Sequence, residues 1–141
     1  MVLLGPGQGS DSRMLTPLLA ALRVARPGRG RPRTTPTAVL ADKAYSSRAH
    51  RALLRRRGIT AVIAEPADQK ANRARRGSKG GRPPAFDIDL YKNRNVVERG
   101  FNTFKQWRAL ATRYDKLALT YRAATLLRAV LIWLDALRDT L

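Results

Sequence analysis

The sequence predicts an α/β fold in which a short βαβ unit is followed by a basic insertion and two long carboxyl-terminal helices. Two apolar runs, at residues 38–41 and 59–64, have the length of buried strands, and the stretch between them has helical spacing. Two strands joined by a helix are expected to pair in parallel through a right-handed crossover. After residue 86, apolar residues recur at intervals of three and four, which predicts helices.

Size and charge narrow the class of protein. A chain of 141 residues, 44% of them hydrophobic, is long enough for one domain with a core. Its 28 basic residues against 10 acidic ones leave a net charge of +18, which favours a polyanionic partner, with nucleic acid first. GC-rich codons can explain the choice of Arg over Lys, but they do not explain the excess of positive charge.

Several kinds of site and location are excluded by composition. The absence of cysteine excludes disulfides, thiolate metal sites and cysteine nucleophiles. The start MVLLGPG is too short and too soon interrupted for a signal peptide. The apolar run at residues 129–134 is too short to span a membrane. We therefore expect a soluble, cytoplasmic protein without a membrane partner.

The amino-terminal half is predicted element by element. Residues 2–4 are expected to end a strand before the turn at residues 5–7. Ser10 or Asp11 is expected to cap a helix. The apolar residues of that helix recur at helical spacing: Met14, Leu15, Leu18, Leu19 and Leu22. Residues 26–33 contain no apolar side chain beyond proline and are predicted to form a loop.

The βαβ unit is predicted from residue 38 onward. Residues 38–41 form the first strand and end at Asp42. Ser46 or Ser47 begins a helix that runs to Arg57 and is stopped by Gly58. Residues 59–64 form the second strand, since the run is rich in β-branched residues and is ended by a proline.

Residues 66–86 are predicted to be a flexible basic insertion, disordered or folded as a hairpin arm. Its basic residues are Lys70, Arg73, Arg75, Arg76, Lys79 and Arg82. We expect these side chains to follow a DNA backbone. The alternative is a solvated loop without a partner.

Two long helices are predicted to complete the chain. The first begins near Asp87 or Asp89, and a break near residues 114–115 precedes the second. Three aromatic residues of the first helix are expected in the core: Phe101, Phe104 and Trp107. The second carries an apolar stripe, expected to pack against the first: Leu119, Ala123, Leu126, Val130, Trp133 and Leu137.

Four chemically active residues share the first of these helices. Tyr91, Arg94, Glu98 and Lys105 are offset by three, seven and fourteen positions, which places them on one face of a continuous helix. One carboxylate flanked by two cations and a phenol suits a metal ion beside a phosphodiester. The alternative is an ordinary solvated ion-pair face.

Asp42 is the second candidate acid. Ligands of open α/β sheets gather at the carboxyl ends of the strands, and Asp42 directly follows the first predicted strand. The alternative is that Asp42 caps the helix that comes next.

Taken together, the two segments resemble bacterial insertion-sequence transposases of the DDE class, whose catalytic domain has an RNase H-like fold. The second catalytic Asp of that family follows a short strand in a segment similar to residues 41–45, ADKAY. Its catalytic Glu lies within a Tyr, Arg, Glu, Lys signature that Tyr91, Arg94, Glu98 and Lys105 match. The resemblance extends from the turn at residues 5–8 to about residue 133.

The resemblance implies a role for each matched residue. Asp42 and Glu98 would be catalytic metal ligands for Mg²⁺, or Mn²⁺, in a two-metal site that cleaves and transfers DNA strands. Transposon-end DNA would be held by basic and phenolic side chains along the same helices: Tyr91, Arg94, Arg99, Lys105 and Arg108. The implied partner is double-stranded DNA, both transposon ends and target, in the bacterial nucleoid.

The resemblance also implies that part of the site is missing. The family's first catalytic Asp lies on a strand upstream of the turn at residues 5–8, and Asp11 lies after that turn. We therefore expect residues 1–141 to be the carboxyl-terminal part of a transposase catalytic domain, weak or inactive alone. Its partner would be the amino-terminal part or the full-length transposase. Two alternatives are a non-catalytic basic DNA-binding protein and a truncated regulator of the complete enzyme.

Overall fold

The computed structural model describes residues 2–138 and divides them into two compact units, one of residues 10–94 and one of residues 2–9 with 95–138. The elements of the first are α1 Leu15–Ala21, β1 Ala38–Ala41, α2 Arg48–Arg56, β2 Thr60–Ile63, α3 Ala67–Arg75 and α4 Ile88–Lys92. Those of the second are α5 Asn95–Lys105, α6 Arg108–Thr112 and α7 Ala118–Arg138. The predicted α/β character is confirmed, with a two-stranded parallel sheet.

The βαβ unit forms as the sequence predicts. β1 and β2 pair in parallel, from Ala38 opposite Thr60 to Ala41 opposite Ile63. The helix between them, α2, begins after Ser47, whose side chain accepts a hydrogen bond from the backbone N–H of His50 at 3.1 Å. It ends before a glycine with φ of 66°, a left-handed conformation that other residues adopt at a cost.

The core of the first unit lies where α1 and α2 cover the sheet. Leu54 of α2 is fully buried, and Ile63 of β2 is 1% exposed. The other members of the cluster are Leu15, Leu19, Ala41 and Ile59. The predicted first helix is thus confirmed over Leu15–Ala21 by its buried face. A 3₁₀ turn at Asp11–Met14 precedes it, and the predicted cap, Ser10, forms no side-chain capping bond.

Two amino-terminal predictions have different outcomes. Residues 2–4 form no strand, so that prediction is wrong. Within the described part of the chain the sheet contains only β1 and β2. Residues 2–4 therefore have no neighbouring strand with which to form backbone hydrogen bonds. Residues 26–33 form the expected loop, which is closed by paired backbone hydrogen bonds between Val24 and Arg33 of 3.0 and 2.8 Å.

The basic insertion differs from its prediction. A disordered or hairpin arm is wrong for its first half, where α3 forms over Ala67–Arg75. The segment consists largely of good helix formers, which its charge obscured. Tertiary bonds also hold it: Gln69 Nε2 donates to the backbone oxygen of Ser46 at 2.7 Å, and the hydroxyl of Ser46 donates to Gln69 Oε1 at 3.1 Å. Ser46 is 5% exposed.

An ion pair attaches the end of α3 to the residues that follow β2. The two terminal nitrogens of Arg73 bond the two carboxylate oxygens of Glu65. This hydrogen bonding, with the charge of Arg73, lowers the pKa of Glu65 from its ordinary value. A 3₁₀ turn at Gly77–Gly80 then folds back on Arg73, where Gly80 lies too close for any side chain.

The predicted long signature helix is broken, so that prediction is wrong. α4 ends at Lys92 and α5 begins at Asn95. Between them the backbone N–H groups of Asn93 and Arg94 bond Leu90 and Tyr91 at three-residue spacing, with N···O distances of 3.2 and 2.9 Å. The tighter turns and the low helix propensity of the two asparagines favour a break here. The predicted break near residues 114–115 is confirmed between α6 and α7.

The last helix packs on α5 and α6, which confirms the predicted contact with the signature helix. Arg128 Nη2 donates to the backbone oxygen of Thr103 at 3.1 Å and to Gln106 Oε1 at 3.0 Å. The guanidinium carbon of Arg128 lies 5.5 Å from the ring centroid of Trp107. The hydroxyl of Tyr121 donates to the backbone oxygen of Leu110 at 3.1 Å.

The apolar residues of the second unit are less buried than predicted. Phe101 is 62% exposed, so its assignment to the core is wrong, whereas Phe104 and Trp107 are half-buried. All six residues of the predicted apolar stripe of α7 are exposed, with Leu119 at 74% and Trp133 at 72%, so the expectation that the stripe is buried against the preceding helix is wrong. The packing of α7 therefore relies on polar contacts of Arg128 and Tyr121 as well as on apolar ones.

Within residues 2–138, no helix combines the length and the apolar composition that crossing a lipid bilayer requires.

The ion pair of Glu65 makes a prediction about acid sensitivity. Because its pKa is lowered in the folded chain, the pair stabilises above the unfolded value of about 4.5, and this contribution is lost as pH falls through the lower folded value. The free energies of unfolding of the protein and of Glu65→Gln, measured in urea, should therefore differ more at about pH 6 than at about pH 3. A difference that is the same at both pH values would contradict this role.

Gly80 provides a prediction about the turn after α3. A Cβ at this position would overlap the carbonyl oxygen of Arg73 and lie 2.8 Å from its Cγ. Gly80→Ala is expected to lower the free energy of unfolding by about 1–3 kcal/mol, measured by urea denaturation. Gly28→Ala is the matched control, since a Cβ there meets nothing within 4 Å. Equal stability of the two variants would show that the turn does not pack on α3.

Candidate active site

Asp42 directly follows β1, at the carboxyl edge of the sheet. Its backbone is extended, and its Oδ1 accepts a hydrogen bond from the N–H of Ala44 at 2.9 Å. It thus caps the short 3₁₀ turn Lys43–Tyr45, while α2 has its own cap in Ser47. The side chain is exposed, so this bond orients the carboxylate without burying it.

The loop after Asp42 is held on two sides. Arg51 of α2 donates from Nη2 to the hydroxyl of Ser46 at 3.1 Å and to the backbone oxygen of Ile63 at 3.0 Å. Gln69 of α3 also holds Ser46, accepting from its hydroxyl and donating to its backbone oxygen. Burial raises the pKa of the Tyr45 phenol, and the carboxylates of Asp11 and Asp42 raise it further. The phenol beside Asp42 therefore remains protonated.

Sequence reasoning missed this hydrogen-bond network. The sequence indicated Ser46 only as a possible helix cap and indicated no role for Arg51 or Gln69. Their positions carry no motif, because Gln69 reaches Ser46 across 23 residues of chain. The amide of Gln69 within a highly charged segment was an available sign, since an amide side chain can donate and accept hydrogen bonds at once.

Tyr91 and Arg94 form one half of the predicted signature. Asp87 caps α4 by accepting a hydrogen bond from the N–H of Leu90 at 2.8 Å, which confirms the predicted start. The guanidinium carbon of Arg94 lies 5.7 Å from the ring centroid of Tyr91, within cation–π range. Phe86 packs against the same ring, with centroids 5.0 Å apart. The Tyr91 ring therefore helps to orient Arg94.

Glu98 and Lys105 form the other half, on α5. They are seven residues apart, or about two turns, so both lie on one side of that helix. Both are exposed, as are the neighbouring candidates Arg99 on α5 and Arg108 at the start of α6. The prediction of one continuous helix for all four signature residues is wrong, because α4 ends at Lys92 and α5 begins at Asn95. Asp42, Tyr91 and Arg94 belong to the first unit, and Glu98 and Lys105 belong to the second.

The basic side chains of the insertion divide into two groups. Arg73 is held by Glu65, and Arg75 donates to the side-chain oxygen of Asn72. The other four are exposed: Lys70, Arg76, Lys79 and Arg82. These four are the better candidates for contact with a polyanion.

Metal ligands are few in the described chain. Carboxylates such as Asp42 offer the hard oxygen ligands that Mg²⁺ prefers. However, no group of three His, Asp or Glu side chains suitable for a metal ion occurs within residues 2–138. Carboxylate oxygens suit a divalent ion. Residues 2–138, however, do not bring together the three side chains that a two-metal centre would need.

Comparison with known proteins identifies the family. A family model described as "Transposase DDE domain" matches residues 1–134. A Burkholderia cepacia protein, named "Putative transposase for insertion sequence element IS402", is 35% identical over 129 residues, which cover 92% of this chain and 54% of that protein. The chain thus spans about half the length of this curated relative. No solved structure matches the chain. The predicted resemblance is confirmed: the chain belongs to the DDE transposase family.

Proposed function

We propose that this chain provides part of the catalytic domain of an insertion-sequence transposase, which cleaves double-stranded DNA at transposon ends and joins it to a target. The observation that carries this proposal is the exposed carboxylate of Asp42 at the carboxyl edge of a parallel sheet, oriented by Ala44. The family match supports it. The parallel β1–β2 pair crossed by α2 is consistent with part of an RNase H-like fold.

Asp42 and Glu98 are proposed as metal ligands and catalytic residues. Each offers exposed carboxylate oxygens, the ligands that Mg²⁺ or Mn²⁺ takes. A divalent ion in such a site supplies charge stabilisation for an in-line displacement at phosphorus. The third carboxylate would come from the amino-terminal part of the transposase.

DNA is proposed to contact the side chains around the signature. Arg94, positioned by the Tyr91 ring, offers a planar guanidinium that suits bidentate bonding to phosphate. Lys105, Arg99 and Arg108 add exposed positive charge on α5 and α6. The net charge of +18 favours association with DNA in the bacterial nucleoid.

The basic insertion is proposed to contact the DNA backbone without reading its sequence. Its exposed cations lie on and after α3, and contacts with phosphate supply affinity rather than specificity.

A second candidate function is regulation. A chain that binds transposon ends or the complete transposase without cutting would inhibit the enzyme. This alternative needs only the charge of the chain, +18, to bind DNA and requires no catalytic centre. Mixing the chain with the complete transposase distinguishes the two functions, since a regulator lowers cleavage and a catalytic part does not.

Catalysis is tested by cleavage of matching transposon ends in Mg²⁺. The isolated chain is expected to cut weakly or not at all, and addition of the amino-terminal part should restore cutting. In that mixture Asp42→Asn should lower the rate by at least about a hundredfold, since even residues that only orient metal ligands contribute that much. Asp68→Asn, which removes an exposed carboxylate of α3, is the control. Undiminished cutting by Asp42→Asn would rule out its catalytic role.

Backbone contact by the insertion is tested through salt dependence. The plot of log K against log salt concentration should flatten by about 3 when Arg76, Lys79 and Arg82 are changed to glutamine. The matched control changes three exposed arginines of α2, at positions 48, 55 and 56. An equal slope in the two triple variants would indicate that the insertion has no special part in binding.

A further inference from the structure

A cavity of about 260 Å³ lies in the first unit beside the carboxyl end of β2. Its charged lining comes from Arg51 of α2, Glu65 after β2, and Lys70 and Arg73 of α3. Pro84 and Phe86, from the segment before α4, contribute an apolar wall. Three cations thus share the cavity with one carboxylate.

The single carboxylate is already engaged. Both oxygens of Glu65 bond the terminal nitrogens of Arg73, so this pair is internally neutralised. Arg51 and Lys70 remain, with two positive charges facing the same space. Arg51 uses Nη2 for Ser46 and Ile63, and these bonds hold the guanidinium in place while leaving its other nitrogens as donors.

Arg51 lies where the charge of Glu65 offsets only part of the cost of burying a cation. The side chain is half-buried, and burial lowers the pKa of Arg51 while the charge of Glu65 opposes this effect. A partly desolvated cation is stabilised when an opposite charge enters beside it. The fixed donors would bind such an anion without reorganising.

We propose that this cavity binds a phosphate group, with Arg51 and Lys70 as its direct ligands. A phosphate carries up to two negative charges, which match the two cations, and its oxygens suit the planar donors of arginine. The apolar wall of Pro84 and Phe86 suits the sugar or base attached to a nucleotide phosphate. If the bound phosphate group belongs to a DNA strand, this inference rests on the proposed function. If it is free phosphate or part of a mononucleotide, the inference is independent of that function.

The test is a titration of the full chain followed by ¹H–¹⁵N NMR of its backbone and arginine Nε–H groups. Inorganic phosphate, a mononucleotide and a 5′-phosphorylated oligonucleotide are added separately, with an unphosphorylated oligonucleotide for comparison. Saturable shifts at Arg51, at Lys70 and at Ala64, which also lines the cavity, are expected with at least one phosphate source. The source that saturates identifies the ligand. Uniform shifts across the basic residues, or no saturation with any source, would overturn the proposal.

Lys70→Gln is the decisive variant because Lys70 is exposed and its replacement leaves the core intact. Loss of one charged ligand should weaken phosphate binding about tenfold. Lys92→Gln removes the same charge from α4, outside the cavity, and should leave affinity within about twofold of the unchanged protein, as expected for an exposed ion pair. Equal weakening in both variants would indicate general attraction of anions and overturn the site. If the restored transposase cleaves DNA but the chain shows no saturable phosphate binding, the phosphate site is rejected and the proposed function stands. If phosphate binds but no cleavage occurs, only the proposed function is rejected.

Discussion

Four parallel residue pairs, from Ala38–Thr60 to Ala41–Ile63, connect β1 to β2 and bring the carboxyl ends of both strands to one edge. Asp42 follows the first strand, and Glu65 lies just beyond the second. The crossover helix α2 then carries Arg51 to the same edge, where it bonds the backbone of Ile63. The candidate catalytic acid and the cationic cavity both depend on this register, because a shift by one residue would reverse the face of every side chain in the strand.

Arginine has two distinct roles in this chain, and net charge does not separate them. Some guanidiniums are structural: Arg73 closes α3 onto Glu65, and Arg128 joins α7 to Thr103 and Gln106. Others are exposed: Arg48, Arg55 and Arg56 of α2, Arg76 and Arg82 after α3, and Arg99 and Arg108 of α5 and α6. Only this second group can approach a DNA backbone without breaking internal bonds. The interface that +18 suggests is therefore smaller than the count of basic residues implies.

The basic insertion illustrates how charge and helix propensity compete. Its composition suggests disorder, since like charges repel and few apolar groups can be buried. The helix forms nevertheless, and Gln69 and Arg73 attach it to Ser46 and Glu65. This attachment connects the loop that bears Asp42 with the segment proposed to contact DNA. The orientation of Asp42 and the proposed contact of α3 with DNA consequently depend on one hydrogen-bonded structure.

Local patterns in the sequence determined the strands, the caps of α2 and α4, and the family, because each depends on residues close together in the chain. Apolar runs, a serine before a helix and a spaced signature are all visible without coordinates. Tertiary structure alone decided that Ser46 is a buried hydrogen-bond centre and that Arg73 pairs with Glu65. It also decided that the signature helix breaks before Asn95. These outcomes depend on contacts between groups that are distant in the chain and on a small energy difference between helix and turn. The spacing of apolar residues carries no information about either.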